Sequence, residues 1–321
     1  MLSRYPSKNT LDVGTMRSLF RAKSVKGWGA VVRQGTRLDL VHASVSAGQR
    51  PVVHAFDSFR IETGEADALA RLSAARNLKH LRCITLLDEG QYSVVQLEAP
   101  AVPAEERVEA LRWRLKDAVD FPVEGAALAV LDIPADGVRQ PGVLAVAAAA
   151  TVIGERMSLF QNAGLALEAI DIPELAVRNV AALFEEDNRG LAFVSLTDGG
   201  CLLVISFRGE LVLARRIDLT SGAVANADAE RRQQLLERLA LELQRTLDNF
   251  DRQYGYVSIS RLILASEFDV RSVVAALAES LYLPVLAMDL AEVVDFSAVP
   301  ELQGLERQAQ GLMAIGAAFR S

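Results

Sequence analysis

The sequence predicts an α/β protein of two related halves, with a smaller α/β unit inserted into the first. Three observations carry this. Residues 191–219, LAFVSLTDGGCLLVISFRGELVLARRIDL, read as three consecutive strands divided by the turns Thr197–Gly200 and Arg208–Glu210. The pair Trp28–Arg33 and Leu38–Val45, across Gln34–Gly35–Thr36, reads as the first half's counterpart of that meander. Residues 91–170 run β-α-β-β-α-β, the order of a small self-contained unit.

Composition fits this plan. A chain of 321 residues with 51% hydrophobic and 23% charged side chains can bury more than one core, and the net charge of −7 makes no general case for nucleic acid. The charge is uneven. Residues 1–60 hold ten Lys/Arg against three Asp, a balance of +7 that leaves −14 for the remainder. Such a leading segment suits anionic lipid or an acidic partner, or is a solvated tail. Cys83 and Cys201 lie in apolar strand-like runs and are expected to be buried free thiols in a reducing compartment. The first twenty residues lack the apolar core of a secretory signal. The longest apolar run, Val143–Ile153, is about half the length of a membrane span.

In chain order, residues 1–22 are expected to be a basic, disordered leader. The first half covers 23–90, completed by 171–190 and the closing helix 310–321. Ala66–Asn77 reads as a helix and Leu81–Leu87 as a buried strand. Within the inserted unit, 91–170, Tyr92–Leu97 is a strand and Pro103 leads a helix over 104–119. That helix carries Val108, Leu111, Leu115 and Val119 at helical spacing and ends before Phe121–Pro122. Strands Ala127–Ile133 and Val143–Thr151, a helix Ile153–Asn162 capped at Gly164, and strand Leu167–Ile170 follow. Asp171 reads as a helix N-cap, with Pro173 in the first turn and Glu174 in the capping-box position.

The second half covers 191–309. Gly222–Asp228 reads as a linker. Glu230–Tyr254 is the longest helix, with Leu235, Leu239, Leu243, Leu247 and Phe250 in one stripe that marks a core-facing surface helix. Strand Arg261–Ala265, helix Val270–Leu281, strand Val285–Met288 and a helix over Pro300–Arg320 close the chain. Arg215–Arg216, on the last meander strand, are positioned to face a carboxylate or to guard a sheet edge.

Enzymatic signatures are missing. Neither G-x-G-x-x-G, nor a GKS/GKT loop, nor G-x-S-x-G occurs. His42, His54 and His80 sit in unrelated segments without metal-ligand spacing, and two distant cysteines make no zinc site.

Four stretches carry a family resemblance. Leu111–Asp117 followed by Asp120-Phe121-Pro122-Val123 resembles the WxxKDxxxxPxE segment of MshI-type agglutinin (mannose-sensitive pilus) biogenesis proteins, relatives of the PilM type IV pilus assembly proteins. Ile170–Asn179 is similar to a helix entry of the same group, Leu241–Asp248 to its E-x-Q-R-S-L-D stretch, and Met313–Arg320 to its closing helix. The resemblance implies an actin-like (ribonuclease H-like) two-domain fold of the PilM and FtsA type, with 91–170 as the small inserted subdomain. It also implies a cytoplasmic scaffold, not an enzyme, peripheral to the inner membrane and without a span of its own. Such a scaffold binds the cytoplasmic tail of a bitopic inner-membrane pilus assembly protein. The tail's groove in that group lies between the inserted subdomain and the first half, which puts Arg112, Trp113 and Lys116 near it here.

In nucleotide-binding members, Asp-x-Gly turns in both halves and a Gly-Gly turn hold the magnesium nucleotide. Aligned positions here are Val32 and Gln34 in the first half, Ser195 and Thr197 in the second, and Ser266 and Glu267 at the third turn. Side chains at glycine sites block close approach to phosphate, and lost carboxylates remove the metal's ligands. No cofactor and no metal are therefore expected. The alternative is an ATP- and magnesium-binding actin-like assembly protein whose turns have diverged. A small-molecule kinase on the same fold is more remote.

Overall fold

A computed structural model describes residues 27–76, 78, 81–137 and 141–320. The expectations for residues 1–22 and for His80 lie outside the described residues.

The first half opens with β1 (Trp28–Gln34), β2 (Arg37–Ser44) and β3 (Val52–Arg60), then α1 (Glu65–Arg76) and β4 (Arg82–Leu86). β5 (Tyr92–Glu98), α2 (Arg107–Arg112), β6 (Ala127–Asp132) and β7 (Gly142–Ala148) follow, and α3 (Ala150–Asn162) leads to β8 (Ala166–Asp171). α4 (Pro173–Ala181) passes to the second half. There β9 (Gly190–Thr197), β10 (Gly200–Phe207) and β11 (Glu210–Ile217) precede α5 (Ser221–Ala225) and α6 (Ala229–Gln253). β12 (Ile259–Ser266), α7 (Val270–Ser280), β13 (Val285–Ala287) and α8 (Leu305–Ala318) complete the chain.

The halves repeat one topology. Their five-stranded sheets run β3-β2-β1-β4-β8 and β11-β10-β9-β12-β13, an antiparallel meander extended by two parallel strands. Parallel neighbours require crossovers, here by α1 and α3 in one half and by α6 and α7 in the other. Every residue of β9 is buried, as expected for a central strand covered on both faces. α6 starts where Asp228 accepts the Arg231 amide, and its stripe of Leu236, Leu239, Leu243, Leu247 and Phe250 is buried. The inserted strands form their own sheet, β5-β7-β6. Leu115 and Val123 cover its Ala145/Ala147 face.

Several expectations change in detail. β3 has no clear signal in the sequence; Val53 and Phe56 are buried, but His54, Asp57 and Ser58 interrupt a clean alternation. The order β-α-β-β-α-β over 91–170 is present, yet β8 hydrogen-bonds to β4 in the first sheet, not to the three inserted strands. α3 packs with it: Phe160 joins Leu69 and Leu72 of α1 in the core outside the first sheet. The helix expected over 104–119 is a short α2 flanked by 3-10 turns that end at Leu115. There Arg112 binds the returning loop through the carbonyls of Val123 and Ala126. Part of the expected linker is α5. Asp171 does not cap α4, whose N-cap is Ile172; its carboxylate takes the Ile172 amide at 2.9 Å and Arg320 at 2.6 Å. Glu174 serves a different purpose, described below. Cys83 and Cys201 are free and buried, and burial pushes their thiols up to about 11 and about 12.

α4 and α8 cross between the two sheets. Gly316 of α8 lies so close to α4 that a Cβ there would come within 2.1 Å of the Ala176 carbonyl oxygen. Asn179 donates to the Gly316 carbonyl at 2.8 Å and fixes the crossing.

Candidate functional site: an interdomain cleft and an apolar groove

The β1–β2 and β9–β10 turns face each other across a cleft of about 780 Å³. Val32, Gln34, Thr197 and Glu267 all line it; Ser195 and Ser266 are buried beneath it, 1% exposed each. Four of the six positions at the three aligned turns thus share one surface.

The chemistry at these turns is turned inward. Val32 offers no carboxylate. Its cross-strand neighbour Asp39 does, but Asp39 is fully buried. It accepts Arg37 Nε at 2.9 Å, Ser58 Oγ at 2.6 Å and Gln34 Nε2 at 3.3 Å. Burial raises its pKa against the opposing pull of Ser58 and Arg37. Gln34 and Arg37 also donate to the Gln310 carbonyl of α8, at 3.1 and 2.9 Å. In the second half, Thr197 Oγ1 donates to the Gly200 carbonyl at 3.3 Å. The Asp198 amide donates to Glu267 Oε2 at 3.0 Å, while Asp198 Oδ1 accepts Ser221 Oγ at 2.6 Å and the Gly222 amide at 2.9 Å. Ser266 closes its own turn by donating to the Phe268 carbonyl at 2.6 Å, and the Ser195 hydroxyl meets no hydrogen-bond partner. Arg37 and Glu267 approach across the cleft at 3.9 Å.

A magnesium triphosphate needs free turn amides, room at the glycine positions and carboxylates to hold the metal. Here the Asp198 amide already serves Glu267, side chains stand at Gln34 and Thr197, and the nearby carboxylates are taken up within the protein, Asp39 by Arg37 and Ser58, and Asp198 by Ser221 and the Gly222 amide. These residues do not fit that group. Among the described residues, no group of three or more His, Cys, Asp or Glu could hold a metal ion, and no helix is long and apolar enough to cross a membrane.

Burial raises the Glu267 carboxyl above its ordinary range, partly offset by the Asp198 amide and Arg37. A carboxyl raised on folding stabilises most when protonated, and that contribution is lost as pH rises through the folded pKa. Glu267→Gln is therefore expected to be most favourable relative to the natural protein near pH 7. Its advantage should shrink as pH falls through the raised pKa toward the ordinary carboxylate range. Urea midpoints of both proteins at several pH values check this; a difference independent of pH contradicts it.

Three elements meet at a second cluster. Glu174 in α4, 5% exposed, accepts Tyr92 Oη of β5 at 2.6 Å and Arg216 Nη2 of β11 at 2.9 Å. Arg216 also reaches Tyr92 Oη at 2.7 Å and Glu89 at 3.3 Å. Burial, then Glu174, pushes the Tyr92 hydroxyl above its ordinary pKa. Arg216 thus faces a carboxylate, and Arg215 pairs with Glu242 of α6. Sequence reading missed Glu174 because its place three residues after Asp171 imitates a capping box.

A groove of about 390 Å³ lies between the inserted sheet and the first sheet. Ala127, Leu128 and Ala129 of β6 line one side, Leu167 and Ala169 of β8 the other, with Met157 of α3 at 56% exposure. β6 and β8 are the outer strands of their sheets, so each presents an edge without a partner strand among the described residues. Arg112, Trp113 and Lys116 do not line this groove. Arg112 binds backbone carbonyls and Glu109, Trp113 is 63% exposed, and Lys116 is exposed. The reason is local: Leu111 and Leu115 turn inward, which points the residues between and after them outward. The His42 and His54 rings lie 4.8 Å apart on the first sheet, tilted at 39°, and neither lines either cavity.

The repeated five-strand order, the inter-sheet helices α4 and α8 and the cleft between facing hairpins define an actin-like fold. Solved structures agree. The PilM–PilN type IV pilus biogenesis complex is similar at 22% identity and a TM-score of 0.72, covering 92% of this chain and 98% of that one. The cytoplasmic domain of EpsL, an inner-membrane component of the type II secretion system of Vibrio cholerae, is similar at 15% identity and a TM-score of 0.51, covering 92% and 96%. A Bacteroides thetaiotaomicron protein with an actin-like ATPase fold matches at 9% identity and a TM-score of 0.50, covering 88% and 97%. No family model matches the sequence, and no curated protein matches it.

Proposed function

We infer that this chain is a scaffold of a pilus-type assembly platform, working by protein binding and not by catalysis. The observation that carries the reading is the apolar groove between β6 and β8, whose outer edges have no partner strand among the described residues. Open edges supply main-chain hydrogen bonds to an extended segment, and apolar pockets select its alternate side chains. The occupant in this reading is the cytoplasmic tail of a bitopic inner-membrane pilus assembly protein, and the chain works on the cytoplasmic face of that membrane. Support comes from the four sequence stretches similar to mannose-sensitive agglutinin pilus proteins and from the likeness in fold to the PilM–PilN complex structure. The inward-turned chemistry of the cleft supports a scaffold that works without nucleotide.

The test is binding of synthetic tails of inner-membrane pilus proteins to the full chain by titration calorimetry. Ala129→Trp, which places an indole in the groove from β6, is expected to weaken a bound tail at least tenfold, about 1.4 kcal/mol. Unchanged affinity removes the groove from the reading. Micromolar affinity for magnesium ATP in the same instrument refutes the nucleotide-free part.

A further inference from the structure

We propose that the chain pairs with a second copy of itself through α7, across a two-fold axis near Ala275. The proposal goes beyond the scaffold reading and does not depend on what the groove binds. α7 buries Val270, Val273 and Leu277, which turns Ala275 and Ala278 outward to solvent. This outer face is unlike that of α6. Between Glu230 and Arg252, α6 carries ten charged side chains, tied into pairs such as Glu242–Arg245. α7 carries two, Arg271 and Glu279. Its serines turn back on the helix: Ser272 donates to Asp269, and Ser280 to the Ala276 carbonyl. Just past the helix, the Tyr282 side chain is 59% exposed, and its hydroxyl donates to Asp251 of α6 at 3.1 Å. A ring that is both exposed and tethered loses little freedom on association, the property of an interface anchor.

The two charges say what covers this face. Ala275 is the middle residue of the eleven-residue helix, and Arg271 and Glu279 stand four residues to either side of it, about one turn away in each direction. Arg271 lends its charge to Asp269, and neither Arg271 nor Glu279 forms a hydrogen bond or ion pair with another described residue. Laid antiparallel on a copy of itself, α7 sets Arg271 of each copy opposite Glu279 of the other. A parallel pair would set like charges together, so the charges choose the antiparallel one. The alanines between them allow the helix axes to approach to about 8 Å, the close end of helix packing. A face that matches itself in this way closes as a two-fold pair and does not extend into a filament. One helix and one ring per copy bury less than a standard interface, so the expected dissociation constant is of the order of 10 μM. Where the groove holds a tail, each pair holds two.

Sedimentation velocity of the full chain between about 1 and about 100 μM tests the pairing. Arg271→Glu and Glu279→Arg are each expected to weaken it at least tenfold, because each sets like charges across the contact. An equimolar mixture of these two variants is expected to pair at least as tightly as the natural protein, since every contact between the two chains then joins opposite charges. Tyr282→Ala is expected to weaken pairing about tenfold through loss of the anchor. All three positions are exposed, so urea midpoints should match that of the natural protein and exclude misfolding as the cause. Single variants that pair undiminished, or a mixture that stays apart, overturn the proposal. So does a natural protein that remains monomeric at about 100 μM, an outcome that gives the face to a different protein.

Discussion

Gly316→Ala is expected to destabilise the protein by about 3 kcal/mol, the upper end of the range for overpacking a close contact. The reason is geometric. A Cβ at 316 would stand 2.1 Å from the Ala176 carbonyl oxygen and 2.7 Å from its carbon, both backbone atoms of a neighbouring helix. No rotamer change relieves such a contact, so α8 and α4 must separate. Asn179 would then lose its 2.8 Å hydrogen bond to the Gly316 carbonyl. A better intrinsic helix propensity for alanine, about 1 kcal/mol, offsets only part of this. Urea unfolding with an unchanged slope and a lower midpoint is the expected signature. A midpoint equal to or above that of the natural protein contradicts the packing described for the crossing.

The second large effect belongs to Glu174. Glu174→Ala is expected to cost about 2 kcal/mol, the range for leaving buried hydrogen-bond donors unsatisfied, reduced because Arg216 is partly screened by solvent. Two donors lose their acceptor at once: Tyr92 Oη at 2.6 Å, and Arg216 Nη2 at 2.9 Å with its side chain 31% exposed. Glu174→Gln keeps an acceptor oxygen and is expected to cost about half as much. Equal stability of Glu174→Ala and the natural protein would mean that the cluster does not bind the three elements together.

Much of the fold is legible in residue order. The meander at 191–219 shows because its strands are short, apolar and divided by glycine turns, and α6 because its stripe is continuous. β3 is not legible. His54, Asp57 and Ser58 break its alternation, and a register shift opposite His42 and Ala43 breaks it further. The place of β8 is hidden for another reason. Its residues read as a strand, but its partner Arg82–Leu86 lies beyond the whole insert, and local pattern carries no information about pairing at that distance. Of the candidate site, the two hairpin turns give Val32, Gln34 and Thr197 and the turn after β12 gives Glu267, all at the cleft. The groove is invisible because it forms from two sheet edges brought together only by the fold. Arg112, Trp113 and Lys116 lie outside the groove because Leu111 and Leu115 turn inward, a direction that motif position does not specify. Asp39 has a faint signal, a lone acid in an otherwise apolar run, which becomes distinctive only when burial is known, whereas Glu174 is masked by Asp171 three residues before it.

Cys83 is in the first sheet and Cys201 in the second, each sealed in its own layer with its sulfur proton held well above neutral pH. A maleimide or similar reagent can therefore reach either sulfur only after the surrounding layer opens. The chain thus carries one natural timer in each half, and comparing their labelling rates would tell whether the halves come apart together or in turn.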